Sequence, residues 1–358
     1  MTTLHSRRTG SHVFRHAGGL TLFFVVIVST AELFAQCAGV TCADPMKACV
    51  CVVDPVEAPI SLVPFGTVVR QPARVGQSLS AGDQLSSVRP DAIAEVGCPG
   101  GSEVKLHGVF LAIIKPSVQG QDCVFDLLAG SADVLGTKPT QIEAGETLMA
   151  SKTTQYGIRV RRAGTALNVE CLVFEGEAQV RYANRWDRGV KEGGKTTWRL
   201  GAGDPAQAPV TDIDVRATSG VYARADLARM RIRGEMPADP RATLRELNSR
   251  YATVMLRPRD TQARIQLAAL QTDLGNSRQV LYHVQRAEQL GPVRDDQKTA
   301  IAVMKYTALK RTGRDADANV EIEKVRALDP AQYERIRKLD PAKIRLGDPA
   351  LKQLRQTP

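Results

Sequence analysis

The sequence predicts a fold of the α+β class in which β and α structure occupy separate domains. Three observations predict it. Apolar and polar residues alternate from about residue 66 to residue 198, the period becomes helical from about residue 217, and a Leu-x-Pro motif repeats near the end. With 358 residues, 43% of them hydrophobic and 24% charged, the chain is long and apolar enough to form two globular domains.

The N-terminus has the layout of an export signal. Arg7, Arg8 and Arg15 precede the apolar run LTLFFVVIVSTA, and the small residue Ala35 follows as a cleavage position. About a dozen apolar residues are too few to span a hydrocarbon core of about 30 Å comfortably. We therefore expect residues 1–35 to be a signal peptide and the protein to be periplasmic. The alternative is that the signal is not cleaved. It would then anchor the protein in the membrane through its N-terminus.

Residues 60–204 are expected to form an all-β domain. In the segment SEVKLHG, Val104 and Leu106 fall on one side of the chain, with Lys105 and His107 on the other. This alternation is typical of a strand with one apolar and one polar face. Several such segments, separated by glycine turns, indicate a sandwich, a barrel or a solenoid.

Two further segments of this region carry different strand patterns. The run GVFLAIIK at 108–115 is apolar at nearly every position, so we expect a strand that is buried on both faces. The segment at 166–182 alternates, and it places Val169, Cys171 and Val173 on one apolar face.

The order of several short motifs in this region resembles that of FecR-type domains. The matching positions are Gly82, Asp83, Gly101, Ser102, Val104, Leu106, Gly130, Glu175, Gly176 and Val180. The resemblance covers roughly residues 60–202 and implies a periplasmic β domain. In signalling members of that family, a cytoplasmic anti-sigma region precedes a membrane helix. Only 19 residues precede the apolar run here. We therefore expect the fold and the export, but not the control of a sigma factor.

The C-terminal part is expected to be helical. Residues 205–239 are interpreted as a linker, and the first helix is predicted at 240–255 because its apolar residues recur at helical spacing. These residues are Leu244, Leu247, Tyr251 and Val254.

A repeat follows that helix. The Leu-x-Pro motif ends at Pro258, Pro292 and Pro330, so its prolines are 34 and 38 residues apart. The first spacing is the tetratricopeptide period. The sequence therefore resembles two tetratricopeptide-like repeats over residues 259–330.

The predicted helical domain extends beyond the repeats. It covers residues 240–345, and a basic tail at 346–358 follows it. Gly275 and Gly313 fall where the chain would turn between the paired helices of each repeat.

The residue types argue against an enzyme. Outside the expected signal the chain has two histidines, His107 and His283, and neither belongs to a metal-binding or catalytic motif. A phosphate-binding Gly-Lys-Ser/Thr loop is also missing from the sequence. We therefore expect no catalytic residues, no metal and no cofactor.

The charge of the chain points to the kind of partner. The net charge of +10 lies wholly in residues 217–358, where 27 Lys and Arg outnumber 17 Asp and Glu. Export and the scarcity of aromatic residues argue against nucleic acid. We expect a protein partner that is acidic or associated with the cell envelope.

These observations favour a non-enzymatic scaffold that binds protein through its helical repeats. The first helix of each repeat would line a groove, and its candidate residues are Arg264, Gln271, Ala302 and Leu309. Two alternatives stay open: an envelope sensor related to FecR-type sigma-factor regulation, and an envelope enzyme that acts on a polysaccharide.

A cysteine-rich lead-in at 36–59 follows the expected signal. Cys37, Cys42, Cys49 and Cys51 lie close together there. In an oxidising compartment, disulfides are the leading interpretation. A structural zinc site and a lipid anchor on Cys37 are the alternatives.

Three cysteines lie within the β domain. Cys98 and Cys123 flank adjacent predicted strands, so we expect them to bridge within the domain. Cys171 lies on an apolar strand face and is interpreted as a buried thiol.

Overall fold

The computed structural model describes residues 48–52, 60–116, 123–136, 138–145, 147–151, 155–164, 166–182, 185–186, 189–199, 202–341 and 344. Over these residues an antiparallel β-sheet region (residues 48–209) comes first and a helical region (residues 212–341) follows. This order confirms the predicted α+β class with segregated domains. The expected signal peptide, most of the cysteine-rich lead-in and the basic tail lie outside the described residues.

The sheet region contains seventeen strands among the described residues. The first nine are β1 (Ala48–Val52), β2 (Ser61–Val63), β3 (Gln71–Pro72), β4 (Gln77–Leu79), β5 (Gln84–Ser87), β6 (Ile93–Gly97), β7 (Glu103–Lys115), β8 (Val124–Leu135) and β9 (Thr140–Ala144). The other eight are β10 (Thr147–Ser151), β11 (Gln155–Ala163), β12 (Ala166–Glu175), β13 (Glu177–Tyr182), β14 (Arg185–Trp186), β15 (Val190–Lys191), β16 (Gly194–Arg199) and β17 (Ala202–Pro209).

Four long strands form the centre of the sheet. They lie in the order β7, β8, β11 and β12, each antiparallel to the next. Beyond β12, the sheet continues with β16 and β17. On its other side, β7 pairs with β6 through its first half and with β5 through its second half. The pairing of β8 with β9 is parallel.

Glycines bend the two longest strands at the same level. Gly108 of β7 and Gly130 of β8 both have positive φ, at 74° and 97°, and the register between the strands shifts just after His107. A Cβ atom at position 130 would lie 2.5 Å from the carbonyl oxygen of Val109 and 2.6 Å from Cβ of Phe110. Position 130 therefore requires glycine both for its backbone conformation and for the space around it.

The sheet region has its own apolar core, built from the predicted apolar faces. Val104, Leu106, Val169, Cys171 and Val173 are all buried in it. Alternation along the strands thus placed one face of the sheet correctly.

The expectation that the run at 108–115 is buried on both faces is wrong. Phe110, Ala112 and Ile114 are buried, but Val109 is 54% exposed, and its neighbours on that face are only partly covered. This face of β7 is buried at Glu103 and Lys105, near the start of the strand, and becomes exposed at Val109.

The helical region contains seven helices over the described residues. They are α1 (Asp212–Ile232), α2 (Pro240–Leu256), α3 (Thr261–Asp273), α4 (Ser277–Leu290), α5 (Asp295–Arg311), α6 (Asp315–Leu328) and α7 (Pro330–Ile336). Asp239, Asp260 and Asp329 cap three of the helices, each accepting a hydrogen bond of 2.9 Å from a backbone N–H in the first turn. Gly275 and Gly313, at φ of 72° and 70°, occupy the turns after α3 and α5, where the sequence predicted them.

Residues 205–239, interpreted from the sequence as a linker, hold the end of β17 and the 21-residue helix α1. A capping box formed by Thr211 and Asp214 fixes the start of this helix. Its buried face includes Thr218, Asp226 and Arg229 among its apolar residues. Because these positions are polar, the helix shows a weak apolar stripe in the sequence.

The structure agrees with the expectations for three cysteines of the sheet region. Cys98 and Cys123 form a disulfide with a Cα–Cα distance of 5.7 Å, and Cys171 is a buried free thiol. Cys37 and Cys42 lie outside the described residues. Cys49 and Cys51 lie in β1, of whose side chains nothing is described.

No helix among the described residues is long and apolar enough to cross a membrane.

Replacing Gly130 with alanine should destabilise the sheet region strongly. The new Cβ would have to displace the backbone of β7 as well as adopt positive φ, so we expect a cost on the order of 3 kcal/mol or more. Gly164, in the turn between β11 and β12, has φ of 64° and no atom within 4 Å of its Cβ position, so Gly164→Ala should cost only about 1–2 kcal/mol. Thermal unfolding of both variants checks this, and equal Tm shifts would contradict it.

Candidate functional site

The polar face of β7 is covered by helices rather than by water. Lys105, which the sequence placed opposite the apolar face, is 0% exposed, and Glu103 on the same face is 3% exposed. The helix above them is α1, and it brings Asp226 and Arg229 to the same place. Charged side chains at a buried interface need partners, because an unpaired charge there is very costly.

These residues, with Glu95 of β6, form an interdomain ion network. Arg229 binds three carboxylates: that of Glu103, with Nη2 2.8 Å from Oε1, and those of Glu95 and Asp226. Lys105 contacts Glu103, and its Nζ lies 3.6 Å from Oε1 of Glu95. The network therefore joins two neighbouring strands to the first helix.

Asp226 also connects the helices to one another. Its carboxylate accepts hydrogen bonds from the Tyr251 hydroxyl at 2.6 Å, from the Gln271 amide at 2.5 Å and from the Asn276 amide at 3.1 Å. Burial raises the pKa of Asp226, and the bonds from Tyr251 and Gln271 oppose that shift. Four successive elements, from α1 to the start of α4, thus meet at one carboxylate.

Lys105 lies at the centre of the network, with its Nζ 4.4 Å from the ring centre of Tyr222. Burial lowers the pKa of Lys105 to about 7, although the carboxylates of Asp226 and Asp133 favour its charged form. Its proton is therefore held much less tightly than that of an exposed lysine.

A second cluster of charged side chains is centred on β8, the strand next to β7. Asp133 of β8 is 2.8 Å from Nε2 of His107 and 2.8 Å from Nη1 of Arg159. Burial alone would raise the pKa of Asp133, but Arg159 and His107 outweigh it and lower that pKa. Arg159 also donates a hydrogen bond of 3.0 Å to the hydroxyl of Thr218 in α1.

A third cluster joins β12 to helices α3 and α4. Glu175, at the end of β12, accepts a hydrogen bond of 2.7 Å from the Tyr282 hydroxyl and pairs with Arg264 at 2.9 Å. Arg286 pairs with its other carboxylate oxygen. Nearby, Phe174 and Leu172 of β12 pack in an apolar cluster with side chains of the first helices. The contact between the regions is thus both apolar and ionic.

The four residues expected to line a partner groove are all buried. Arg264 and Gln271 belong to the interface just described, through Glu175 and Asp226. Ala302 and Leu309 lie in the apolar core of the later helices. The groove prediction is wrong for these positions, because the inner helix faces that it used are occupied by the sheet region and by neighbouring helices.

The two histidines are packing residues. His107 pairs with Asp133, and His283 lies buried with its ring 5.1 Å from that of Tyr282. Burial lowers the pKa of both rings. Over the described residues, no group of three or more His, Cys, Asp or Glu could hold a metal ion.

An open groove is formed by residues of α1 and α2. It has a volume of about 260 Å³ and is lined by Gly220, Arg224, Leu244, Arg245 and Asn248. Nothing lies within 4 Å of a Cβ built at Gly220, so the first helix leaves room there. We call this feature the arginine groove. The sequence does not predict this groove, because its pattern at 205–239 indicates a linker where α1 lies.

Two arginines line the arginine groove, Arg224 from α1 and Arg245 from α2, and a second arginine of each helix lies at a similar angle around its axis. Arg224 and Arg231 of α1 lie about 20° apart around the helix, and Arg241 and Arg245 of α2 about 40° apart. All four side chains are exposed. The lining contains no acidic residue. Asp91 lies close enough for Arg224 to contribute to lowering its pKa, behind the larger effect of its hydrogen bond from Arg89.

The fold and these sites define a protein of the α+β class whose antiparallel sheet region is held to a helical region by buried ion pairs. No protein-family profile matches the chain, and no curated protein matches it in sequence.

Two crystal structures from Parabacteroides distasonis ATCC 8503, both provisionally described as anti-sigma factors, resemble it weakly. The one at 2.50 Å resolution is 11% identical with a TM-score of 0.32, and the match covers 38% of this chain and 62% of that chain. The one at 1.65 Å is 9% identical with a TM-score of 0.28, covering 44% and 63%. This chain thus spans less than two thirds of either neighbour, and scores this low do not show a shared fold.

Removing the carboxylate of Glu175 should destabilise the contact between the regions. Glu175→Ala leaves Arg264 buried without its partner, so we expect a loss of about 3–5 kcal/mol in the free energy of unfolding. Glu323, in an exposed pair with Arg326 on α6, is the matched control, and Glu323→Ala should cost less than about 0.5 kcal/mol. Urea unfolding monitored by circular dichroism measures both. A small effect of Glu175→Ala would show that this pair does not hold the regions together.

Lys105 should make the stability depend on pH. Its pKa is about 7 in the folded protein and 10.5 ordinarily, so the unfolded chain binds more protons between these values. The contribution of Lys105 to the free energy of unfolding therefore rises with pH over that range, by at most about 1.4 kcal/mol per pH unit.

Lys105→Met should remove this contribution to the pH dependence of the free energy of unfolding. Lys324→Met, at an exposed lysine of α6, should leave the pH dependence unchanged. Urea unfolding of the parent and both variants between about pH 7 and pH 9 tests the prediction. Parallel curves for the parent and Lys105→Met would refute it.

Proposed function

We propose that the chain is an exported, non-enzymatic binding protein of a bacterial envelope, with the helical region as its contact for a protein partner. The observation that carries this proposal is the arginine groove. It combines an open, partly apolar floor at Leu244 with exposed arginines on both sides. The export and the periplasmic location rest on the N-terminal sequence pattern.

Four carboxylates of the sheet region are engaged in its contact with the helical region. Glu95, Glu103, Asp133 and Glu175 are all buried and paired with arginine or lysine of the same interface. Carboxylates in such pairs are shielded from substrate, which supports a binding function over a polysaccharide-acting enzyme.

We infer that the sheet region is a FecR-like domain. Gly82, Gly101, Gly130 and Gly176, four of the motif glycines, all have positive φ, between 80° and 102°. These conformations agree with tight turns or bends at the motif positions. Likewise, the pairs α3–α4 and α5–α6, with Gly275 and Gly313 in their turns, support tetratricopeptide-like repeats.

The groove favours an acidic segment of the partner. An amphipathic helix could place an apolar side chain on Leu244 and carboxylates against Arg224 and Arg245. Guanidinium groups bind carboxylates through paired hydrogen bonds, which fixes the orientation of the segment. The chemistry thus agrees with the acidic partner that the charge distribution suggested.

An envelope sensor is the second candidate. The favouring observation is that one buried network connects strands β6 and β7 directly to helix α1. A ligand that changed the sheet region would therefore act on the helices through these contacts. Like the scaffold, this sensor would need a partner on the helical region.

Charge reversal in the groove tests the proposal. The full chain carrying Arg224→Glu and Arg245→Glu should lose its partner in co-purification from solubilised envelope extract. The control variant reverses the charge at two exposed arginines outside the groove, Arg326→Glu and Arg337→Glu. This variant should still co-purify with the partner. Both variants must first show the Tm of the parent. Retention of every partner by the groove variant would exclude this groove as the contact.

A further inference from the structure

The connection between β2 and β3 presents apolar side chains to solvent. Phe65 is 74% exposed, Val68 97% and Val69 66%. These three side chains lie within the segment PFGTVVR, residues 64–70, which we call the apolar loop. Single exposed apolar residues are ordinary, but three of them in one short loop form a contiguous candidate contact.

The apolar loop is held in place by the turn before β5. The N–H of Phe65 donates a hydrogen bond of 2.9 Å to Asp83, whose other carboxylate oxygen accepts one of 2.7 Å from Ser80. A Cβ at Gly82 would collide with the ring of Phe65, so the glycine makes room for that ring. Within the loop, both the N–H and the hydroxyl of Thr67 bond to the carbonyl of Pro64. The apolar side chains are therefore directed outward by a folded loop.

Positive charge lies beside these side chains. Arg70 ends the loop, Arg74 follows it, and both are exposed. From Pro64 to Gly76 the sequence contains no acidic residue. Apolar tips flanked by arginine suit a surface with an apolar interior and an anionic boundary.

We propose that the apolar loop docks on an anionic lipid surface, with Phe65, Val68 and Val69 in the interfacial layer and Arg70 and Arg74 on the headgroups. A protein surface would be expected to match the loop by shape, whereas a bilayer needs only apolar tips and adjacent cations. The charge beside the tips therefore selects a lipid surface as the occupant. This site is independent of the arginine groove.

A tryptophan reporter tests the proposal on the full chain. In Phe65→Trp, adding phosphatidylglycerol vesicles should shift the added emission to the blue, and brominated lipid should quench it. Phosphatidylcholine vesicles should do neither. Val109→Trp, at another exposed valine of the sheet region, is the matched control and should stay unchanged. Val69→Trp serves as the second reporter if Phe65→Trp lowers the Tm.

A further variant tests whether the response to anionic vesicles requires the positive charge of the two arginines. Arg70→Gln with Arg74→Gln, in the reporter background, should weaken the response to anionic vesicles at least about tenfold, because two cations near the anionic surface are lost. Vesicle binding without a shift at either loop reporter would mean that another segment, such as residues 20–31, makes the contact, and would overturn the proposal. So would a shift that needs no vesicles and grows with protein concentration, which would indicate a second copy.

Discussion

The pairing of acidic residues on the sheet with arginines on the helices is the interaction on which the rest of the structure depends. Glu95, Glu103 and Glu175 lie on strands, and Arg229 and Arg264 reach them from helices. Each charge is buried, so each would be left without water and without a partner if the other side were displaced. The helices and the sheet consequently stabilise one another, and neither region would keep its buried charges compensated alone.

This arrangement decides which surfaces are open to other molecules. The inner faces of α3 and α4 pack against the sheet region. The positions with which a tetratricopeptide-like repeat would bind a partner are therefore buried. Among the described residues, the arginine groove on α1 and α2 and the apolar loop of the sheet region are both exposed. The two proposed contacts differ in chemistry: one is a groove with arginine rims, and the other is a set of apolar tips with adjacent cations.

The sequence predicted which apolar residues form the core of the sheet region. It did not predict which polar residues are buried between the sheet region and the helices. Period-two alternation identified Val104 and Leu106 as core residues, but it cannot say whether Lys105, on the other face, meets water or a helix. Helix α1 was not predicted, because an apolar stripe is the signal for a packed helix. In α1 the polar residues Asp226 and Arg229 occupy part of the buried face. The groove depends on α1, so a prediction that places a linker at 205–239 cannot contain it.

Helix α1 shows how one element serves two environments. Arg224 and Arg231 lie about 20° apart around the helix axis, whereas Arg229 lies about 140° from Arg224. The sheet carries carboxylates under Arg229, and that side chain is buried among them. Arg224 and Arg231 are exposed, so solvent hydrates them and a carboxylate of another molecule could reach them. The position of an arginine around α1, rather than its identity, therefore decides whether it holds the two regions together or is available for binding.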